Sequence, residues 1–427
     1  MMHISSMKGQ TKKSGIASLP DAPVYAVPLT RYFGSHPVPL VSVGERVLKY
    51  QLIGEDSSNL ALKTHSPVSG EVCAIQEYML ADHSTAVIIR IKNDFQETEV
   101  ALLPEDHDAH SPERLLELIE NAGVVGAGGA QFPAAVKYRA GAKKTGTLII
   151  NGAECEPYLT VDYAIMAHRT EKLFRGIGIA NRILQADDIV IAIERQNAEL
   201  EAVFAPFLKA AAYAGWRVQV LSNQYPQGSE LQLIKSVTGR ELPRSLRPAD
   251  AGIIVSNVGT IDAIYDAVVH QKPVISRVVT VSGEGTERYG NFEVKIGTPV
   301  SHLLEMLDIS LEGKRLVLGG PMMGRPVPDV AMPVTKGSGG LLVLPDNPVR
   351  RENCISCGYC AEVCPMRLMP MKYEELHRRG KYAALEKYSL ASCIECAACE
   401  YICPSNVPLM ESIRKGKNRL REMADAS

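Results

Sequence analysis

Eight of the ten cysteines fall between Cys354 and Cys403, in two runs with the same spacing. The first run is Cys354-x2-Cys357-x2-Cys360-x3-Cys364-Pro365 and the second is Cys393-x2-Cys396-x2-Cys399-x3-Cys403-Pro404. The N-terminal stretch MMHISSMKGQTKKSG is polar and basic without an apolar core, so it is no secretory signal. Disulfides are therefore not expected, and the clustering points to metal. Three thiolates spaced by two residues wrap one face of a cubane; the fourth corner has to be reached from elsewhere.

This is the spacing of two-cluster bacterial ferredoxins, in which the fourth cysteine of each run serves the other cluster. One [4Fe–4S] cluster is then expected on Cys354, Cys357, Cys360 and Cys403, and a second on Cys393, Cys396, Cys399 and Cys364. The competing reading is a pair of four-cysteine zinc sites. Zinc ribbons, however, prefer CxxC pairs separated by a longer loop. Two such clusters carry single electrons over short distances and do not transform a substrate. Cys155 lies between Glu154 and Glu156, where like charge disfavours its thiolate. Cys73 is expected in a β-domain core.

A chain of 427 residues suggests three or four domains. Hydrophobic content of 46% and charged content of 22% suit a soluble globular protein. A net charge of −2 gives no reason to expect nucleic-acid or anionic-membrane binding. No apolar run approaches the ~18 residues of a transmembrane helix. Residues 1–23 are expected to be a mobile leader. Residues 24–105 read as a lipoyl- or biotinyl-like β-domain, with Ser69 and Gly70 at a tight hairpin. No lysine stands at that tip, so no prosthetic arm is expected.

Over 111–270 strand-like and helix-like segments alternate, which predicts a mostly parallel, Rossmann-like sheet covered on both faces. DYAIMAHRTEKLFRGIGIANRIL reads there as one helix. Residues 273–345 suggest a small β-grasp domain and connector, and 350–427 a helical two-cluster domain of bacterial-ferredoxin type. The expected fold class is thus multidomain α/β.

The stretch NAGVVGAGGAQFPAAVKY resembles a phosphate-binding loop but fails the dinucleotide fingerprint. Gln131 stands where the third glycine belongs, and a helix rather than a strand precedes it. What remains is a glycine loop leading into a helix near Pro133, a place for an anion or simply for close packing.

GAGGAQFPAAVKY is followed by NGAECEPYLTVDYAIM, YPQGSELQLI, SNVGTIDAIYDAV, GGPMMG and the two cysteine runs with CPSNVPL. This succession resembles the RnfC component of the Rnf electron-transport complex and, more distantly, the flavin subunit of respiratory complex I. The likeness runs from about Val24 to Met410. It implies that Gly126, Gly128 and Gly129 lie against FMN, with Lys137 at its phosphate. It further implies that Asn151 and Glu154 line the flavin and that Glu156 meets the nicotinamide nucleotide. Gly228, Ser229 and Glu230 match a turn near both cofactors, and Asn257 and Thr260 an FMN contact. Phe132 suits stacking on a nucleotide ring, and Glu194 ends a strand where a ribose-binding acid could sit. Gln131 stands where the family usually has Gly, and the N-terminal family signature is reduced to SGIASLP.

The resemblance implies two [4Fe–4S] clusters, FMN and NAD(H) as cofactors. It also implies partner subunits of a membrane complex, a ferredoxin-like redox partner domain, and a peripheral place on the cytoplasmic face of the cell membrane. NADH gives two electrons as a hydride and a cluster accepts one at a time; a flavin does both. No residue is expected to act as a general base. The alternatives are a soluble flavin and iron–sulfur reductase, such as a corrinoid reductase, and a relay subunit without nucleotide binding.

Overall fold

The computed structural model describes the chain apart from residues 31, 33–36, 57, 59, 61, 82, 83, 104, 143, 244, 426 and 427, and the side chains of 424 and 425. Among the described residues the strands form four sheets. The first β unit packs an antiparallel sheet of Val24–Pro28, Thr85–Asn93, Gly70–Met79 and Arg46–Val47 against Val38–Pro39, Leu52–Glu55 and Lys63–His65. Tyr25, Val27, Ile53, Val72, Ile89 and Ile91 fill the space between.

Ser69 and Gly70 are not at a hairpin tip. The strand before them pairs with Leu52–Glu55 and the strand after them with Thr85–Asn93, so the chain crosses between sheets there. Gly70 is needed for close approach, because a Cβ would lie 2.1 Å from the Lys92 carbonyl oxygen. Cys73 is exposed rather than in the core. Alternation over Gly70–Cys73 buries Val72 and turns Cys73 outward, at a bulge where the register with Thr85–Asn93 skips Cys73.

The central unit is a parallel sheet ordered Arg217–Leu221, Asp188–Glu194, Thr147–Gly152, Ile253–Asn257. Three of its strands are apolar on both faces, as a doubly covered parallel sheet requires, while the edge strand Arg217–Leu221 carries Arg217 and Gln219 on one face. Leu148, Ile150, Ile191 and Ile254 enter one core and Ile149, Ala192, Ile253 and Val255 the other. The single helix expected over 162–184 is two, Val161–His168 and Thr170–Leu184. The chain breaks at Arg169, which donates to Asp262 in the helix Val258–Val269 and to Glu293 in the third sheet.

That third sheet is ordered Ile16–Ser18, Gly290–Lys295, Ser276–Ser282, Gly340–Pro345, Lys314–Leu318, Arg325–Pro326. Its first strand comes from the segment expected to be a mobile leader, and that expectation is corrected. Ile16–Ser18 pairs in parallel with Asn291–Glu293, Asn291 Nδ2 donates to the Thr11 carbonyl, and Met2 bridges Tyr225. The composition of the segment is polar, but its partners are a backbone edge and buried polar groups, which reward polar residues.

The C-terminal unit packs short helices around Leu368, Tyr373, Leu385, Leu390, Val407 and Ile413. No helix among the described residues is long and apolar enough to cross a membrane.

Candidate flavin and iron–sulfur sites

The chain runs outward from Thr147–Gly152 through Asp188–Glu194 to Arg217–Leu221, then returns to place Ile253–Asn257 on the other side. Open parallel sheets take ligands outside the carboxyl ends of their strands at such a reversal. Asn151 and Asn257 end the two strands that flank it, and the glycine loop lies beside them. A Cβ on Gly128 would just touch that of Asn257 at 4.0 Å.

The loop is tied down at both ends. The Gly126 amide donates to the Phe132 carbonyl at 2.8 Å and the Ala134 amide to the Val124 carbonyl at 3.0 Å. The Ala127 amide donates to Thr260 Oγ1 at 3.0 Å. Between them the backbone of Gly128, Gly129 and Ala130 is exposed. Gly129 has φ +101° and a Cβ there would meet nothing within 4 Å, so the loop faces open space. These features fit a flat ring lying over a bare backbone.

Gln131 also has a positive φ, 53°, a conformation that favours glycine. Its side chain lies against Gly337, where a Cβ would be 2.7 Å from Gln131 Nε2. Phe132 meets Tyr32 edge-on at 5.2 Å. Lys137 Nζ is engaged by Glu230 Oε1 at 3.0 Å and the Val255 carbonyl at 3.1 Å. Asn151 Nδ2 donates to the Gly228 carbonyl, and a Cβ on Gly228 would collide with the Ala153 carbonyl oxygen at 2.1 Å. Ser229 is the N-cap residue of the helix Glu230–Thr238.

Three of the four acids singled out in the sequence, Glu154, Glu156 and Glu194, gather on one side. Glu154 and Glu194 are buried, and burial pushes the Glu154 carboxyl up to about 8 against the pull of Lys8. Glu194 is raised by burial as well, and Gln196 donates to it. Glu156 accepts the Met322 and Met323 amides at 3.0 and 2.8 Å, so its carboxylate ties down the loop after Gly320. Burial raises its pKa while those amides oppose the shift. Cys155, between them, is pushed up to about 12 by burial first and by Glu194 second, a thiol without nucleophilic character. Glu156→Ala leaves two amides without their acceptor. A stability loss of about 1–3 kcal/mol in denaturant melts, with iron content retained, is the expected outcome.

Four site residues carried no sequence signal for a role here. Asp162 Oδ2 accepts from Asn257 Nδ2 at 2.8 Å, and burial pushes its carboxyl up to about 6. Arg277 arrives from the third sheet and donates to the Ala127 carbonyl at 3.3 Å. Lys336 donates to the Gly123 carbonyl at the start of the loop. Lys8 comes from the N-terminal segment and is itself buried.

The cysteines surround two separate cavities. Cys354, Cys357, Cys360 and Cys403 line one; Cys364, Cys393, Cys396 and Cys399 line the other. Both runs fold alike. Ser356, Gly358 and Arg367 in the first, and Glu395, Ala397 and Asn406 at the same offsets in the second, have positive φ. The turns aim amides at sulfur: Ser356 at Cys354 and Glu395 at Cys393, both at 3.4 Å. Leu368 likewise donates to Cys364 at 3.4 Å and Val407 to Cys403 at 3.5 Å. Such donors stabilise thiolate charge and tune cluster potentials. The second cavity adjoins the central unit, where Cys396 packs with Tyr225 and Met322 and the Tyr225 hydroxyl donates to the Cys396 carbonyl at 2.8 Å. The first has Cys354 and Cys357 exposed.

Residues 2–96 match the RnfC barrel sandwich hybrid domain, 119–266 the Nuo51 FMN-binding domain, and 353–407 the 4Fe-4S dicluster domain. The chain is 38% identical over 430 residues to the RnfC-type component of the ion-translocating oxidoreductase complex of Rhodobacter capsulatus, covering 99% of this chain and 82% of that protein. The chain belongs to the RnfC family. The Pseudomonas aeruginosa member is 41% identical over 418 residues, 95% of this chain and 53% of its own length. An NAD+-reducing [NiFe]-hydrogenase shares the fold, with a TM-score of 0.51 at 21% identity over 73% of this chain and 61% of that one. Like other RnfC proteins, the chain is an oxidoreductase component with an FMN-binding domain and an iron–sulfur domain. The barrel sandwich match begins at residue 2, consistent with an N-terminal segment built into the fold.

Proposed function

We propose that the chain moves electrons between NAD(H), an FMN on the glycine loop and two [4Fe–4S] clusters, as the nucleotide-handling subunit of a membrane complex. The observation that carries this reading is that the inner cysteine cavity adjoins the central unit, where Cys396 packs with Tyr225 and with Cys155, just beyond the end of the strand Thr147–Gly152. The inner cluster sits on Cys364, Cys393, Cys396 and Cys399. The outer one, on Cys354, Cys357, Cys360 and Cys403, delivers to a ferredoxin-like partner domain. Bound FMN supplies the change between paired and single electrons. This chain's residues hold the loop open, exclude water around the buried acids and keep the inner thiolates in an apolar shell. Ion transport belongs to partner subunits, and the chain lies peripherally on the cytoplasmic face of the membrane.

A relay subunit without nucleotide binding is the second reading. It draws support from Glu156 and Glu194, whose carboxylates are already engaged within the protein. The two are separated by reconstituting iron, sulfide and FMN anaerobically and adding NADH. Bleaching of the oxidised flavin band supports nucleotide handling; retained FMN with an unchanged band supports the relay.

A further inference from the structure

We propose that Lys8 is a positioning residue of the flavin site, holding the glycine loop from the N-terminal segment through Glu154, Asp162, Asn257 and Thr260. The inference rests on the reading of that loop as the FMN site. Lys8 Nζ donates to the Glu154 carbonyl and lies 3.8 Å from Glu154 Oε2, with its side chain 4% exposed. Glu154 Oε1 accepts the Asp162 amide at 3.2 Å, and Asp162 Oδ2 accepts from Asn257 Nδ2 at 2.8 Å. Asn257 Oδ1 accepts the Gly259 amide at 2.8 Å and so fixes the first turn of the helix Val258–Val269. Thr260, in that turn, accepts the Ala127 amide of the loop at 3.0 Å. Polar contacts, linked through the backbone at Asp162 and from Gly259 to Thr260, thus join Lys8 to the loop.

The charge on Lys8 matters as much as its reach. Glu154 Oε2 is buried and has no hydrogen-bond partner among the described residues, so the ammonium is what offsets it. Glu194 and Asp162 add negative charge nearby, and Arg277 adds positive charge. Without the ammonium, the Glu154 carbonyl loses its hydrogen bond and Oε2 loses the cation facing it, so the backbone and carboxyl of Glu154 are no longer held where Oε1 receives the Asp162 amide. The segment itself is anchored on both sides of Lys8, by the Met2–Tyr225 bridge and by Ile16–Ser18 in the third sheet. A change at Lys8 therefore tests the side chain, not the docking of the segment.

The test compares full-length Lys8→Met and Lys8→Arg with the parent, each reconstituted with its clusters. FMN affinity is read by fluorescence, and hydrogen exchange at the Ala127 amide is read in FMN-free protein. Lys8→Met is expected to weaken FMN binding about tenfold or more and to speed exchange at Ala127, with iron content unchanged. Lys8→Arg, which keeps the charge, is expected to recover most of both. Binding within about twofold of the parent and unaltered exchange in Lys8→Met overturn the proposal. Equal losses in both variants accompanied by loss of iron also overturn it, since they mark general unfolding. A parent that takes up no FMN defeats the flavin reading instead, while faster Ala127 exchange in Lys8→Met still upholds the connection to the loop.

Discussion

Cys399→Ser is expected to empty the inner cluster site and loosen the whole C-terminal unit, whereas Cys354→Ser empties only the outer one. Cys399 is 7% exposed and packs in the same core as Tyr373, Leu390 and Ile413. Serine is a harder, weaker ligand for iron, and it leaves a hydroxyl among apolar neighbours. The cluster is also the filling of its cavity, so its loss removes folding free energy along with the cofactor. Cys354 is exposed beside Ile355, which is itself 66% exposed. Its replacement costs a ligand but little packing. Iron and sulfide per chain should fall by about half in Cys354→Ser, with resistance to proteolysis kept. In Cys399→Ser iron should fall further and the segment after residue 350 should be cut rapidly. Equal iron loss with equal resistance in both would mean that the two cavities do not differ as described.

Gly129→Val is expected to abolish FMN binding while sparing the clusters and most of the stability. The φ of +101° at Gly129 is outside what a β-branched residue adopts, which costs about 1–2 kcal/mol or deforms the turn. The loop is exposed there, so the damage stays local. The added side chain projects into the open space where the flavin would lie. Gly228→Ala is the contrasting change, because its Cβ would run into the Ala153 carbonyl oxygen at 2.1 Å. Backbone has to shift at the end of the central strand, and stability should fall with flavin affinity. Absorbance of retained flavin and a denaturant melt, read side by side, distinguish the two outcomes.

What is legible in the sequence is what local spacing dictates. The cysteine runs specify their own turns, and the division of the eight thiols between two cavities follows from the repeat. Alternating apolar strands and amphipathic helices mark out the parallel sheet, and the glycine loop stands out by composition. What is not legible depends on partners far along the chain. Lys8 meets Glu154 across 146 positions, and the amides that hold Glu156 lie 166 and 167 positions away. A polar leader therefore reads as mobile, and an acid matched to a nucleotide is seen holding a loop. The break at Arg169 has the same origin, since its partners Asp262 and Glu293 sit on other elements. Cys73 departs from expectation for a local reason: its place at a bulge in the strand, not its apolarity, decides which way it faces.

The central claim is that nucleotide electrons reach the clusters by way of the flavin. It is tested most directly by titrating the reconstituted protein anaerobically with NADH, with and without FMN, and following the reduced clusters by electron paramagnetic resonance. The account predicts reduced-cluster signals only when FMN is bound. Signals of equal size without FMN, or none with FMN loaded and NADH in excess, would contradict it.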